Sequence, residues 1–341
     1  MNFDYCRKRH AAGTAKLRAM LGFLLALAVA IVAAVLGHAV PIVGAPVFAI
    51  VIGAILATLR APSPVLSPGI TFAAKQLLQW SIVLLGAHLS LSEIAQGGAH
   101  SLPVMLGTLA IVLVLAYVVG RLLGLDRNIR RLVGVGTAIC GGSAIAAVAS
   151  VIEADQADVA YSLGVVFLFN VVAVLIFPAL GHLMQLSQHA FGLWAGTAIN
   201  DTSSVVAASF SYGRVAGNAA VIVKLTRTTL IIPIVLFYGW RKIQHARGEA
   251  AINWRAIVPW FILWFLAAAT LNSFGLIPPA AQGPLQELAL FSITVALAGV
   301  GLGTEVEKIR RAGMRPLVLG AILWIAIALS SLAIARLVGA A

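Results

Sequence analysis

The sequence predicts an all-α polytopic membrane protein with about 11 transmembrane helices, two of which are interrupted. Hydrophobic residues make up 61% of the 341 residues and charged residues only 10%, whereas soluble domains carry about 25% charged residues. The charges cluster, and the apolar runs between them are long enough to cross the roughly 30 Å hydrocarbon core of a bilayer. Two of these runs contain glycine pairs or consecutive polar residues, which a helix facing lipid avoids.

The apolar runs define the predicted spans and leave no sign of a second domain. We therefore expect one integral membrane transporter domain over 1–341, with a basic cytoplasmic N-terminus at 1–18 and the membrane domain at 19–338. This composition excludes a soluble enzyme, a nucleic-acid-binding domain and, with only two cysteines, a secreted disulfide scaffold. The approximate bounds of the spans are 19–37, 41–59, 75–94, 102–120, 132–152, 159–182, 188–209, 216–238, 256–272, 286–303 and 316–336.

The net charge of +12 is explained mainly by orientation in the membrane. Most of the 23 Lys and Arg residues fall in segments that are cytoplasmic when the N-terminus is inside. Only Arg214 and Arg336 fall in segments on the other side, so the positive-inside rule predicts a cytoplasmic N-terminus and a periplasmic C-terminus. The expected surroundings are the lipid bilayer, with no nucleic-acid partner.

Two spans break the pattern of a plain transmembrane helix. The first, at 134–147, carries Gly141 and Gly142 in its middle, and the second, at 196–208, carries five consecutive polar residues from Asn200 to Ser204. Unwound backbone inside a membrane is tolerated only where it is buried in protein or lines a wet cavity. We therefore predict that both segments face the protein interior, although the glycine pair alone is also typical of close helix packing.

The two interrupted segments resemble each other at an offset of 60 residues, since 136–139 and 196–199 share one sequence and Ser143 matches Ser203. Paired interrupted segments are typical of transporters whose half-helix ends bind ions, so we predict inverted repeats. One span lies between the two segments, however, and simple counting makes them parallel. Either a segment is re-entrant, or the local similarity is not the symmetry of the fold.

Four Asp, Lys, Arg or His residues lie well inside predicted spans, away from the span ends, where charges are usually functional: His88, Asp201, Lys224 and Arg227. Lys224 and Arg227 are three residues apart and therefore share one face of a helix. If Asp201 pairs with one of them, a positive charge remains that suits an oxyanion. In the alternative, the three residues form a fixed network and helix C-terminal carbonyls bind the second cation.

The interrupted segments and the two cations together make up the candidate substrate site. Asp201 is alternatively a proton carrier or a cation ligand, and His88 is either a second proton-coupling residue or a packed polar side chain. No P-loop or catalytic motif occurs, so we expect neither an enzyme nor a cofactor or metal site. The candidate substrate-binding residues are Cys140, Gly141, Gly142, Ser143, Asn200, Asp201, Thr202, Ser203, Ser204, Lys224 and Arg227.

Six groups of residues carry a family resemblance: 67–74, 82–86 with 89–91, 139–142, 196–208, 218–224 with Arg227, and 298–303. In these stretches the chain resembles the YeiH-type family of bacterial inner-membrane proteins, which is described as a family of sulfate exporters. The resemblance implies a secondary active transporter that exports a small oxyanion such as sulfate or sulfite by alternating access, with H⁺ or Na⁺ as a coupling ion, and it is compatible with a homodimer.

The resemblance also implies a distant relation to the superfamily of cation/proton antiporters and bile-acid symporters, whose core contains crossing interrupted helices. Members of the YeiH-type family often carry His before an acidic residue, where this chain has Asn200 and Asp201. The missing histidine weakens a proton relay at this position. The acidic residue itself is kept, and a cation/proton antiporter that uses Asp201 and an anion channel remain alternatives to oxyanion export.

Overall fold

The computed structural model describes residues 3–39, 44–60, 62–245, 260–304 and 313–339, and in these ranges it contains helices and no strand. The predicted all-α class is confirmed. Residues 72–77 form a π-helix that joins α3 to α4. The α-helices are α1 (Phe3–Ala39), α2 (Gly44–Leu59), α3 (Ser67–Thr71), α4 (Leu78–Gly86), α5 (Leu91–Leu122), α6 (Arg127–Ala138), α7 (Gly142–Ile152), α8 (Gln156–Leu183), α9 (Gln188–Ala198), α10 (Thr202–Tyr212), α11 (Arg214–Thr229), α12 (Ile231–His245), α13 (Trp260–Ser273), α14 (Pro279–Leu302) and α15 (Met314–Leu337).

Six helical segments of the described chain are long and apolar enough to cross a membrane, and α2, α7 and α13 are shorter apolar helices. Basic residues that we expected at the cytoplasmic face in 1–18, 247–255 and 308–311 fall outside the side chains that the structure describes. The predicted orientation therefore stays a prediction. The six segments are Met20–Ala39, Leu91–Leu122, Gln156–Leu183, Arg214–Arg241, Pro279–Leu302 and Met314–Leu337.

The buried apolar side chains form two large clusters. One cluster joins α5 to α9 with α12 and α15, and the other joins α1 to α4 with α13 and α14. Helices α2 and α14 approach closely because Gly53 faces the Ala298 carbonyl oxygen, where an added Cβ would lie only 2.7 Å away. Helices α10 and α11 contribute residues to both clusters, so the two clusters meet at these helices.

The predicted span 188–209 is a helical hairpin and not a single crossing helix. A straight helix over these residues would separate its ends by more than 30 Å. Instead, the Tyr212 hydroxyl at the end of α10 donates a 2.5 Å hydrogen bond to the Leu186 carbonyl before α9. The Tyr212 ring also stacks on Phe191 of α9, with ring centroids 3.9 Å apart. We call α9 and α10 hairpin 2, and its tip is 199–201.

The predicted span 132–152 is likewise a hairpin, formed by α6 and α7 with its tip at 139–141. The side chain of Asp158, in the first turn of α8, lies near that of Asn128 in the first turn of α6. The chain leaves α7 through Glu153, which has a left-handed backbone with φ of 52°. In this hairpin 1, the 12 residues of α6 and the 11 of α7 are each about half as long as a transmembrane helix.

The two hairpins approach each other from opposite ends of α8. The base of hairpin 1 lies beside Asp158 at the start of α8, and the base of hairpin 2 follows Leu183 at its end. The 28 residues of α8 extend about 42 Å. The tips meet in between, since a Cβ added to Gly141 would lie 3.8 Å from the Asn200 carbonyl. The two stretches of repeated sequence therefore lie in two hairpins, and not in the two parallel spans that simple counting predicted.

Candidate functional site

The candidate site lies where the tips of the two hairpins meet. Gly141 ends the unwound part of hairpin 1 with φ of 69° and ψ of −123°, a region open essentially to glycine alone. It is followed by α7, whose N-terminus has no side-chain cap. Gly141 thus reverses the chain at a point where uncapped backbone N–H groups begin a new helix.

Lys224 in the middle of α11 joins both tips. Its side chain is fully buried, and its ammonium donates hydrogen bonds of 2.9 Å to the Ile139 carbonyl and 3.0 Å to the Ile199 carbonyl. These carbonyls terminate α6 and α9, so they carry the partial negative charge of two helix C-termini. One cation is therefore shared between the two hairpins.

Arg227 lies one turn further along α11 and binds hairpin 1. Its side chain is fully buried, Nε donates to the Ala138 carbonyl at 2.8 Å, and Nη2 donates to the Thr137 carbonyl at 3.2 Å and again to Ala138. The remaining nitrogen, Nη1, is buried without a hydrogen-bond partner. The guanidinium therefore keeps an unused donor at the base of the tip.

Asp201 forms no ion pair with Lys224 or Arg227 in the described structure, although a counter-ion was one of the roles that the sequence left open for it. Its Oδ2 accepts hydrogen bonds from the backbone N–H groups of Ser203 at 2.9 Å and Ser204 at 3.3 Å, and from the Ser203 hydroxyl. Within the described chain no ion pair joins it to Lys224 or Arg227. The physical reason is that Asp201 is the N-cap of α10, where free N–H groups attract a carboxylate.

Both cations instead bind helix C-terminal carbonyls, as the alternative network predicted for one of them. Each helix C-terminus carries a partial charge of about −0.5, which offsets half the charge of one cation. The N-termini of α7 and α10 each carry about +0.5, which cancels this negative contribution. Two buried cations and one half-buried carboxylate therefore leave the tips electropositive.

Asn170, in the middle of α8, is a site residue that sequence reasoning missed. Its side-chain oxygen accepts hydrogen bonds from the backbone N–H groups of Asn200 and Asp201, both at 3.2 Å. Only 2% of the residue is exposed. The sequence prediction was based on ionisable groups inside the spans. A polar amide inside the apolar 28-residue α8 could have been recognised in the same way.

Most of the remaining predicted residues lie at the hairpin tips, whereas His88 does not. At the tips, Cys140 and Asn200 are buried, and Ser203 and Ser204 are buried in the first turn of α10. Gly142 and Thr202 are half-buried, but Ser143 is exposed. His88 is placed apart from this cluster, in the turn after α4, where the next residue accepts a hydrogen bond from Asn272 of α13.

Apolar helices long enough to cross a bilayer, packed around a buried cluster of charged and amide side chains, define an integral membrane protein. The chain belongs to the UPF0324 or YeiH family: the family model described as "Conserved hypothetical protein 698" matches residues 21–320. A UPF0324 membrane protein of Streptococcus pneumoniae is 43% identical over 93% of this chain and 97% of its own. Relatives with the same description in Streptococcus mutans and Clostridium tetani are 41% and 38% identical, over 95% and 89% of this chain and 98% and 92% of their own. The resemblance found in the sequence is confirmed.

Proposed function

We propose that this protein is a secondary active transporter that exports a small oxyanion, such as sulfate or sulfite, across the bacterial inner membrane. The observation that supports it is the position of Lys224, which hydrogen-bonds the tips of both hairpins at the point where they meet. Discontinuous helices that end at mid-membrane are typical of transporter substrate sites. The surplus positive charge at the tips favours an anionic substrate.

In this proposal both hairpins are re-entrant and enter the membrane from opposite sides. Replacing two crossing spans by two hairpins removes an even number of crossings, so the N-terminus stays cytoplasmic and the C-terminus periplasmic. The acidic start of α8 then lies on the cytoplasmic side, because Asp158 contacts Asn128 beside the basic residues Arg127, Arg130 and Arg131.

Each hairpin tip is bound by the helix that follows the other hairpin in the chain. Helix α8 follows hairpin 1 but holds the tip of hairpin 2 through Asn170. Helix α11 follows hairpin 2 but holds hairpin 1 through Arg227. This exchange supports an inverted repeat made of 127–183 and 188–245. In alternating access, each hairpin would then close the site toward its own side of the membrane.

The transport activity is tested in proteoliposomes that contain the purified protein and a high internal concentration of sulfate or sulfite. We expect counterflow of external labelled anion, and we expect Arg227→Lys to reduce it strongly because lysine cannot reproduce the bonds to Thr137 and Ala138. Lys75→Arg, at an exposed position of the π-helix, is the matched charge-conserving control. Unchanged counterflow in Arg227→Lys would contradict a role for this cation.

A cation/proton antiporter is a second candidate, favoured by the state of Asp201. Its carboxylate is half-buried and is not paired with a cation, so H⁺ or Na⁺ has access to it. In that case, transport depends on pH or on Na⁺ and continues when sulfate and sulfite are replaced by gluconate. If anion flux requires a Na⁺ or H⁺ gradient and Asp201→Asn removes that requirement, Asp201 is the coupling site of the oxyanion transporter.

A further inference from the structure

We propose that Asn170 is both a positioning residue and an oxyanion-binding residue, a role that rests on the oxyanion transport proposed above. Its side-chain oxygen holds the tip of hairpin 2, and its side-chain nitrogen donates a hydrogen bond to the bound anion. The first half of this role is seen in the hydrogen bonds of 3.2 Å from Asn200 and Asp201.

The orientation of the Asn170 carboxamide is fixed by these bonds. An amide nitrogen and an amide oxygen are hard to distinguish by shape, so the hydrogen-bond network must assign them. Backbone N–H groups can only donate, and two of them point at the same Asn170 atom. That atom is therefore the oxygen, and the other atom of the carboxamide is the NH₂ group.

The Asn170 nitrogen is buried and has no hydrogen-bond partner. Buried polar groups are nearly always paired, so an unpaired one is unfavourable unless a ligand or another group completes it. Because Nδ2 and Oδ1 belong to one planar group, the unused donor lies beside the tip of hairpin 2. Arg227 presents a second unpartnered donor, Nη1, at the base of the tip of hairpin 1, and this tip contacts the tip of hairpin 2.

The chemistry of these two groups selects the class of ligand. An N–H donor binds an acceptor and is repelled by a metal cation, so neither group fits Na⁺. A small oxyanion offers several acceptor oxygens, which allows one oxygen to reach the guanidinium and another to reach the amide. The neutral amide adds a directional contact without a further buried charge. Asn170 thus links the anion to the conformation of hairpin 2.

The two halves of the role are separated by two substitutions. Asn170→Asp has nearly the same shape and keeps an acceptor for the backbone of Asn200 and Asp201, but it replaces the donor by an oxygen. Asn170→Leu removes both functions. Asn200→Asp is the comparison variant, because it introduces the same negative charge at the tip and keeps the Asn200 backbone N–H that donates to Asn170 Oδ1.

The measurement is the sulfate and sulfite dependence of the melting temperature of the purified full-length protein, with gluconate at equal ionic strength as reference. In gluconate, Asn170→Leu should melt well below the wild type and Asn170→Asp should melt close to it. The apparent anion Kd of Asn170→Asp should rise at least tenfold, and more than that of Asn200→Asp. Labelled-anion counterflow should fall in the same order.

Three results would overturn the inference. Wild-type anion affinity in Asn170→Asp would show that Nδ2 is no ligand, and an equal loss in Asn200→Asp would show that charge repulsion alone accounts for the effect. Wild-type melting of Asn170→Leu in gluconate would refute the positioning role. If the wild type itself responds to neither anion and transports neither, the oxyanion function fails, and the anion-binding half of the role fails with it.

Discussion

Replacing Lys224 by methionine should loosen both hairpins at once. The substitution keeps most of the side-chain volume but removes the donor to the Ile139 and Ile199 carbonyls, which lie 2.9 and 3.0 Å from the ammonium. Hydrogen bonds to a charged group contribute about 1.5–3 kcal/mol each, so the loss of two predicts about 3–6 kcal/mol. That is a large fraction of the roughly 5–15 kcal/mol that stabilises a typical protein.

The assay is thermal unfolding of the purified protein in detergent, followed by tryptophan fluorescence. One kcal/mol shifts the melting temperature of a large domain by about 2 °C, so Lys224→Met should melt about 6–12 °C below the wild type. Lys75→Met is the matched control, since Lys75 is exposed and its loss should change little. A melting temperature of Lys224→Met within 2 °C of the wild type, with normal expression, would refute the reasoning.

The other predictions concern the backbone, the carboxylate and the hairpin. Gly141→Ala should lower stability by about 1–3 kcal/mol in thermal unfolding, because φ of 69° with ψ of −123° strains any side chain; unchanged stability would contradict this backbone. Asp201→Asn keeps an oxygen that caps α10, so the melting temperature should stay near wild type while the pH or Na⁺ dependence of flux disappears; retained dependence places coupling elsewhere. Leu186→Cys with Tyr212→Cys, in a chain with Cys6 and Cys140 replaced, should be joined by a short bifunctional maleimide, which is seen as a mobility shift, because Tyr212 reaches the Leu186 carbonyl. A straight span would hold these two cysteines too far apart for the reagent to join them.

The sequence was sufficient to predict the helical class, the two unwound segments and the cations on one face of α11. It was not sufficient to predict that 127–152 and 188–212 fold back on themselves. Hydropathy reports which residues are apolar, and two arms of 11 or 12 residues look the same whether they continue straight or reverse. The direction is decided by local backbone, such as the positive φ of Gly141, and by tertiary contacts such as Tyr212 with Leu186.

The sequence was also not sufficient to predict the partners of the buried charges. When only side chains are considered, Asp201 is the expected partner of Lys224. Backbone carbonyls occur at every residue, so the sequence does not indicate which of them bind a cation. Only the fold shows that α6 and α9 both end against Lys224. Asp201 is then free to cap α10, the role that its position before three hydroxyl residues also favours.

The proposed transport depends on a small oxyanion that binds beside the two hairpin tips. A structure of the purified protein determined with selenate, a sulfate analogue with a strong anomalous signal, tests this binding most directly. We predict an anomalous peak beside the contact of Gly141 with Asn200, within hydrogen-bonding distance of Arg227 Nη1 or Asn170 Nδ2. Selenate bound at another place, together with selenate transport and no density at the tips, would contradict the claim.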